Sequence, residues 1–183
     1  PLIRIIRVSI DVLSGVPSIV YGLFGMITFV KFFTGSSSII AGVCTISMML
    51  LPTIVRSVEE SLKSVPDGLR EGSYALGAGK VRTIFKIVLP SALPGILSAI
   101  ILATGRIVSE SAPFVYTMGS VISATPKSVT DSGATLAVAL YNLSREGWHL
   151  SEAYAAAVVL IVIVLLLNLL AEVLATKLQR KTK

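Results

Sequence analysis

Long apolar runs dominate the chain, and they carry too little charge to face water. The run from Ala153 to Leu174 reads AYAAAVVLIVIVLLLNLLAEVL, with Asn168 and Glu172 as polar exceptions near its end. A helix needs about 20 apolar residues to cross a hydrocarbon core. Only 14% of all residues are charged, against about one-quarter in soluble domains. The sequence therefore predicts an all-α transmembrane protein.

Four runs have the length and composition of membrane spans. They cover residues 17–33, 39–56, 87–110 and 153–174. Lys31 lies near the end of the first run, where its side chain can reach the headgroups. Gly22 and Gly25 give this run a face for close helix packing. The four runs predict a single transmembrane domain over residues 1–183.

The segments beside these runs carry structural signals of their own. Residues 1–15 have an amphipathic pattern, and at this length the helix is expected either to lie at the cytoplasmic interface or to end an earlier span. Gly15 should end it, and Pro17 should start the next helix. Pro90 and Pro94 predict an elbow at the start of the third run. Asn168 predicts an interhelical hydrogen bond.

The basic residues indicate the orientation in the membrane. Two regions carry most of them: Arg56, Lys63, Arg70, Lys80, Arg82 and Lys86 in one, and Lys177, Arg180, Lys181 and Lys183 in the other. The positive-inside rule places loop 57–86 and the tail in the cytoplasm, and loop 112–152 outside. The net charge of +6 is clustered beside apolar runs. This distribution does not resemble the basic stripe of a nucleic-acid partner.

The outer region, residues 112–152, contains few residues that would suggest a catalytic or metal site. One short interfacial helix is expected over residues 134–143, and Trp148 and Tyr154 fit an aromatic belt. His149 has no Cys or carboxylate pair that would suggest a metal site, so an exposed, ordinary histidine is expected. The single Cys44 lies in an apolar run and is interpreted as a structural thiol.

The insert from Pro66 to Pro90 separates two apolar runs and has helix signals of its own. Pro66 suits the first turn, Asp67 and Glu71 suit the positive end of the helix, and Gly77 suits a left-handed end. Small residues offer a surface that a partner can approach closely. The candidate contact residues are Leu69, Arg70, Glu71, Gly72, Ser73, Ala75, Leu76 and Gly77.

A second pattern in the insert resembles a known family. Glu71, Gly77, Ile87, Leu89 and Pro90 follow the spacing E-x5-G-x9-I-x-L-P. This resembles the EAA loop of ABC importer permeases. The resemblance implies a helical bundle of that type, and a coupling helix that docks on a separate ATP-hydrolysing subunit.

The stretch from Gly77 to Lys80 is not a phosphate-binding loop. Tyr74 and Val81 stand where that motif needs glycine and a hydroxyl residue. The chain is therefore not expected to be an enzyme or to hold a cofactor. The resemblance assigns ATP and Mg²⁺ to the partner subunit.

Arg106 and Glu110 are four residues apart near the end of the third run and share a helix face. They are either a structural ion pair or part of an anion path, and the two roles can coexist. Ser109 lies beside them. The stretch Gly105-Arg106-x-x-x-Glu110-Ser111-Ala112-Pro113 resembles permeases of the PstA type in bacterial phosphate importers. Ser109 is a departure, because glycine often precedes this glutamate in the family.

The narrower resemblance implies a translocation path at Arg106, Ser109 and Glu110. It also implies a multi-pass subunit of the bacterial inner membrane, with further helices before Pro1 in a subunit of six helices. The implied partners are an ATP-binding subunit, a second homologous permease subunit, an extracytoplasmic phosphate-binding protein, phosphate and membrane lipid.

Three other readings of the sequence stay open. The chain could be an ABC permease for another oxyanion or small solute. It could be an ATP-independent channel or secondary carrier, in which Arg106 and Glu110 form a gate or coupling pair. It could also be a membrane scaffold, although buried charges would then be costly without a use.

Overall fold

The computed structural model describes residues 2–120, 125–147 and 149–181, and each regular element in these ranges is a helix. The all-α prediction is confirmed. Two stretches of π-helix, Met26–Thr34 and Ile84–Val88, continue the second and fifth α-helices. The α-helices are α1 (Leu2–Ser14), α2 (Ser18–Gly25), α3 (Ile39–Lys63), α4 (Asp67–Ala75), α5 (Lys80–Thr83), α6 (Leu89–Ser109), α7 (Ala112–Thr117), α8 (Leu136–Glu146) and α9 (Leu150–Lys181).

Three continuous helices in the described ranges are long and apolar enough to cross a membrane. They are Ile39–Lys63, Lys80–Ser109 and Leu150–Lys177. The first predicted run forms Ser18–Thr34, which meets α1 at a bend of 99° and satisfies the same criteria only together with it. The amphipathic α1 therefore lies almost at right angles to the first apolar helix. This direction suits a helix along a membrane surface.

Two helices reach farther into the predicted cytoplasmic loop than expected. The second span was predicted to close at Arg56, but α3 continues to Lys63. Ion pairs one helical turn apart support this extension, with N–O distances of 3.4 Å for Arg56–Glu60 and 2.7 Å for Lys63–Glu59. The third span begins at Lys80, before the predicted Ile87. Much of the predicted loop 57–86 is therefore helix.

The helix from Lys80 to Ser109 is continuous through Pro90 and Pro94, so no break in it marks the predicted elbow. Proline lacks the N–H that a regular helix uses, and this loss often bends a helix. Here the π-helical stretch Ile84–Val88 comes directly before Pro90. The altered backbone pairing of that stretch lets the helix continue past the proline.

The main core joins five α-helices. Its buried residues are Tyr21, Ile46, Met49, Leu50, Ala103, Phe114 and Val138. Phe114 in α7 is 5% exposed and Val138 in α8 is fully buried. One short helix was predicted between the third and fourth spans, but the described part of this region contains two, α7 and α8, and both pack into the bundle. Turn residues such as Pro126, Asp131 and Gly133 interrupt this region, so the burial of its helices was not visible from composition.

Glycines allow α7 to cross α2 at short distance. A Cβ atom on Gly22 would lie 3.0 Å from the Cα atom of Pro113. A Cβ atom on Gly25 would overlap the side chain of Thr45 in α3. The packing face predicted from these two glycines is confirmed.

The outer region also completes the first turn of α3. Ser38 Oγ accepts a hydrogen bond from the N–H of Ala41 at 3.3 Å. The N–H groups of Ile39 and Ile40 donate to the carbonyl oxygens of Asp131 and Val129, at 2.9 Å each. A helix start otherwise leaves such N–H groups without partners. The segment around Asp131 is therefore held on the end of a membrane span.

At the other end of the bundle, α1 is joined to α3 by two ion pairs. Arg7 Nη2 lies 2.6 Å from Glu59 Oε1, and Arg56 Nη1 lies 3.3 Å from Asp11 Oδ1. All four side chains are at least one-third exposed. Exposed pairs of this kind usually add less than about 1 kcal/mol each to stability.

The remaining single-residue expectations had mixed outcomes. Tyr154 is exposed on α9 as predicted for an aromatic belt, and Trp148 lies outside the described residues. His149 is exposed, with Nδ1 3.1 Å from Glu152 Oε1. Cys44 is also exposed. Its interpretation as a structural thiol stays a prediction.

Candidate functional site: helix α4 and the Arg106 groove

Helix α4 begins and ends at the residues that the sequence indicated. Pro66 precedes its first residue, and Asp67 lies in its first turn. Gly77 has a φ of 81°, which is the left-handed conformation predicted for it. The N–H groups of Gly77 and Ala78 donate to the carbonyl oxygens of Tyr74 and Ser73, at 2.9 and 3.1 Å. This pair of bonds is a Schellman motif, which ends the helix sharply.

The face of α4 that points away from the bundle carries an exposed apolar patch. Leu76 is 90% exposed and Leu69 is 47% exposed. Gly72 lies between them in sequence, and a Cβ atom there would meet nothing within 4 Å. A groove of about 480 Å³ runs along this face, lined by Gly68, Leu69, Gly72, Ser73, Leu76, Gly77, Ala78, Arg82 and Ile87. An apolar side chain exposed to this extent on a polar loop is typical of a surface that a partner covers.

Two of the predicted contact residues turn inward instead. Arg70 Nη2 donates to the carbonyl oxygen of Leu62 at 2.8 Å, and Nη1 donates to Asp67 Oδ1 at 2.9 Å. Ser73 is 8% exposed, with its hydroxyl oxygen 2.9 Å from that of Thr83. The low-relief surface predicted from small residues therefore excludes the Ser73 hydroxyl. Glu71, Gly72 and Ala75 remain on the exposed side.

The structure brings together two of the three predicted path residues. Arg106 lies in the last turn of α6, and Glu110 follows the helix in extended conformation. Arg106 Nε lies 3.6 Å from Glu110 Oε1, with side chains 56% and 17% exposed. At this distance the charges attract without a close hydrogen bond. The Ser109 hydroxyl instead donates within its own helix, 3.0 Å from the carbonyl oxygen of Arg106.

A groove between α3 and α6 extends from Arg106. It has a volume of about 350 Å³ and is lined by Thr53, Ile54, Ser57, Gly95, Ser98, Ala99, Leu102, Ala103 and Arg106. Three hydroxyl groups and one guanidinium therefore border the same space. Hydroxyls can donate to an anion without carrying charge, and a guanidinium can bind an oxyanion with two parallel bonds. The rest of the lining is apolar, and the Ser98 hydroxyl already donates to the carbonyl oxygen of Pro94 at 2.9 Å. Arg106, Thr53 and Ser57 are therefore the groups that could donate to an oxyanion in this groove.

The sequence prediction did not include the hydroxyl residues of this groove. Thr53 and Ser57 are one helical turn apart on α3, and Ser98 is two turns before Arg106 on α6. Helical spacing from Arg106 would have found Ser98. Thr53 and Ser57 depend on how α3 crosses α6, where a Cβ atom on Gly95 would lie 2.8 Å from Ser61 Oγ. The spacing of residues within one helix gives no information on how that helix crosses another.

Asn168 lies at the contact between α9 and α6. Its Oδ1 atom is 3.3 Å from the position that a Cβ atom on Gly105 would take. Gly105 is buried directly before Arg106. Asn168 itself is exposed, so it lies at the edge of the α6–α9 contact, close to the charged end of α6.

Comparison with known proteins identifies the family. Residues 1–183 match the family described as the binding-protein-dependent transport system inner membrane component. The chain belongs to this family. It is accordingly a multi-pass inner-membrane permease component, and the predicted resemblance to ABC importer permeases is confirmed.

Several relatives of the permease are phosphate transport proteins by name. It is 35% identical over 192 residues to the probable ABC transporter permease protein YqgI of Bacillus subtilis, covering 96% of this chain and 65% of that protein. It is 37% identical over 170 residues to the phosphate transport system permease protein PstA 1 of Mycobacterium tuberculosis H37Rv, covering 92% and 55%. It is 42% identical over 119 residues to PstA of Mycobacterium leprae, covering 65% and 39%.

The fold is similar to that of a solved transporter. An inward-facing structure of the MetNI methionine ABC transporter superposes with a TM-score of 0.77 at 22% identity, covering 97% of this permease and 76% of that chain. At this identity the likeness concerns the fold. The permease spans less than two thirds of the length of the curated relatives quoted above.

Proposed function

We propose that the permease forms part of the translocation path of an ATP-driven importer of inorganic phosphate. The observation that supports this most is Arg106, a cation at one end of a hydroxyl-bordered groove. It stands in a chain that is 37% identical to a phosphate permease over 92% of its length. A cation within a membrane bundle is costly unless it has a partner or a transported anion.

In this proposal, Arg106 binds the anion, and the Glu110 carboxylate pairs with Arg106 after the anion has left. The two side chains lie 3.6 Å apart, close enough for attraction and too far for a tight hydrogen bond. A guanidinium therefore keeps donors available for the two oxygens of a phosphate. When phosphate moves on toward Thr53 and Ser57, the nearby carboxylate prevents Arg106 from remaining unpaired. Ser109 supports the backbone of this turn and makes no contact with the anion.

The proposal assigns the energy source to a separate ATP-binding subunit, which binds ATP and Mg²⁺. This subunit would cover the groove on α4, where Leu69 and Leu76 are exposed. Glu71 lies on the exposed part of the same helix. Burial of two leucine side chains would stabilise docking by about 3 kcal/mol or more before ordering costs.

The remaining partners follow from the importer class. A second homologous permease subunit would complete the path, and membrane lipid would surround both. An extracytoplasmic phosphate-binding protein would deliver its ligand to the outer side, near the segment around Asp131. That segment is fixed to the start of α3 by backbone hydrogen bonds. A delivered anion would reach the outer end of the path near Arg106.

Reconstituted transport tests the proposal directly. The full-length permease is purified with its partner subunits and inserted into lipid vesicles, and uptake of radioactive phosphate is measured with and without ATP. We expect uptake that requires ATP and the binding protein. Sulfate and a small organic solute serve as competitors, because preference for either would reassign the substrate. Uptake without ATP would instead support a channel or secondary carrier.

A further inference from the structure

A pair of buried hydroxyl groups joins α4 to the helix that follows it. Ser73 Oγ lies 2.9 Å from Thr83 Oγ1. Ser73 is 8% exposed and Thr83 is fully buried. Thr83 Oγ1 also lies 3.2 Å from the carbonyl oxygen of Gly79. The three residues enclose the turn that connects α4 to α5.

The hydrogen bonds of this pair have one consistent direction. A hydroxyl group carries one hydrogen, and a carbonyl oxygen can only accept. Thr83 therefore donates to Gly79, and Ser73 donates to Thr83. Both hydroxyls are satisfied in this arrangement, which matters because a buried hydroxyl without a partner is costly. Removal of Thr83 Oγ1 would leave the buried Ser73 hydroxyl without its acceptor.

Helix α4 depends on such anchors because it has little else to hold it. It is nine residues long, too short to be stable on its own. Ser73 is the one buried residue within it. A second anchor, from Arg70 to the carbonyl oxygen of Leu62, joins α4 to the end of α3. The hydroxyl pair joins it to the start of the continuous helix Lys80–Ser109.

We propose that Ser73 and Thr83 are positioning residues that make α4 move as one body with the helix from Lys80 to Ser109. A displacement of α4 by its docked partner then reaches Arg106 at the far end of that helix. The inference rests on the proposed docking of an ATP-binding subunit at α4. Without the hydroxyl pair, α4 can move with the docked partner while α6 stays in place. ATP is then hydrolysed without transport.

The first test measures the number of ATP molecules hydrolysed per phosphate transported in the assembled transporter. We expect Thr83→Val to raise this ratio about tenfold, as the loss of a buried hydroxyl partner predicts. Thr83→Ser keeps the hydroxyl and should restore the ratio. Thr176→Val is the matched control, because Thr176 is exposed and also donates to a carbonyl oxygen four residues earlier, that of Glu172 at 2.9 Å. A valine variant that lowers only the amount of assembled transporter, with an unchanged ratio, would overturn the proposal.

A covalent replacement of the hydroxyl pair provides the second test. Ser73→Cys and Thr83→Cys are combined with Cys44→Ala, which removes the one cysteine found in residues 1–183. The oxygens lie 2.9 Å apart, and a disulfide brings two sulfurs to about 2.05 Å. We expect the reduced form to waste ATP and the oxidised form to regain transport. If oxidation stops transport and a reductant restores it, α4 must separate from α5, and the proposal fails.

The two proposals fail in different ways. The reference for the disulfide test is the assembled transporter whose permease carries only Cys44→Ala. If this transporter hydrolyses ATP but imports another solute in place of phosphate, the assigned substrate is wrong. The ratio is then measured with that solute, and the comparison of Thr83→Val with Thr83→Ser still decides the role of the pair. If the ATP-binding subunit does not assemble with the permease, both proposals are overturned.

Discussion

Gly25 packs directly against Thr45, and this contact fixes how α2 and α3 cross. A Cβ atom on Gly25 would overlap the Thr45 side chain and lie 2.9 Å from Thr117 Cγ2 in α7. Thr45 is 1% exposed and donates through Oγ1 to the carbonyl oxygen of Ala41 at 2.8 Å. It cannot turn away without losing that bond. Three helices therefore meet at a point where any side chain on residue 25 would intrude.

Gly25→Ala is expected to destabilise the permease by about 1–3 kcal/mol, the usual cost of overpacking. The measurement is thermal unfolding in detergent, with Gly68→Ala as the control. Gly68 is also helical, but a Cβ atom there meets nothing within 4 Å. The control should unfold at or slightly above the wild-type temperature, because alanine favours helix. Equal melting temperatures for both variants would contradict the close contact.

Much of this bundle could be predicted from local sequence. Apolar runs gave the long helices, and Gly15 with Pro17 marked the bend between α1 and α2. Gly77 was predicted as a left-handed helix end because few other residues accept that conformation. Gly22 and Gly25 were predicted as a packing face. In each case the cause lies within a few residues of its effect.

The features that were missed depend on contacts between distant segments. α3 was predicted to stop at Arg56, yet ion pairs within the helix and to α1 support it to Lys63. The inward position of Ser73 is set by Thr83, across a turn whose geometry no spacing rule specifies. The burial of Val138 depends on how α8 packs within the bundle. Periodicity within one helix shows which face is apolar, and it does not show what covers that face.

The positive-inside rule yields a prediction of topology that can be measured on intact cells. Single cysteines are placed at Lys80 and Lys127 in a Cys44→Ala background. A membrane-impermeant thiol reagent should label the cysteine at Lys127 and leave the one at Lys80 unlabelled, because the first loop is predicted to be cytoplasmic. Both cysteines should react after the membrane is permeabilised, which controls for accessibility. The reverse pattern in intact cells would invert the orientation.

The sharp end of α4 predicts that Gly77→Val uncouples ATP hydrolysis from transport. A left-handed residue other than glycine costs about 1–2 kcal/mol, more for a β-branched side chain. A Cβ atom on Gly77 would meet nothing within 4 Å, so the effect comes from backbone strain and not from a clash. Glu71→Lys should also uncouple by reversing charge on the exposed face. The measurement is phosphate uptake alongside ATPase activity, with membrane insertion unchanged.

Gly79→Val is the matched control for that change. Gly79 has an extended conformation with a φ of −73°, and its surroundings are equally open. Any residue can adopt this conformation, so Gly79→Val should transport normally. If Gly77→Val and Gly79→Val behave alike, the left-handed end of α4 has no role in coupling.

Arg106 provides the prediction that separates an anion path from a structural ion pair. Arg106→Gln removes the charge and most of the donors, and it should reduce phosphate uptake by about tenfold or more. Arg106→Lys keeps the charge but loses the planar fork, so it should restore only part of the uptake. Arg145→Gln is the control, since Arg145 is an exposed basic residue at the end of α8. It should transport as the wild type does.

The double variant Arg106→Gln/Glu110→Gln then decides between the two roles. Glu110 is 17% exposed, so Arg106→Gln alone leaves a largely buried carboxylate without its partner. The double variant removes both charges, and a merely structural pair should then regain the amount of folded protein and the transport together. We expect the folded amount to recover and phosphate uptake to remain low, because the anion still lacks its guanidinium. Full recovery of uptake would make Arg106 a structural residue and leave the hydroxyls of Thr53, Ser57 and Ser98 as the polar groups that border the α3–α6 groove.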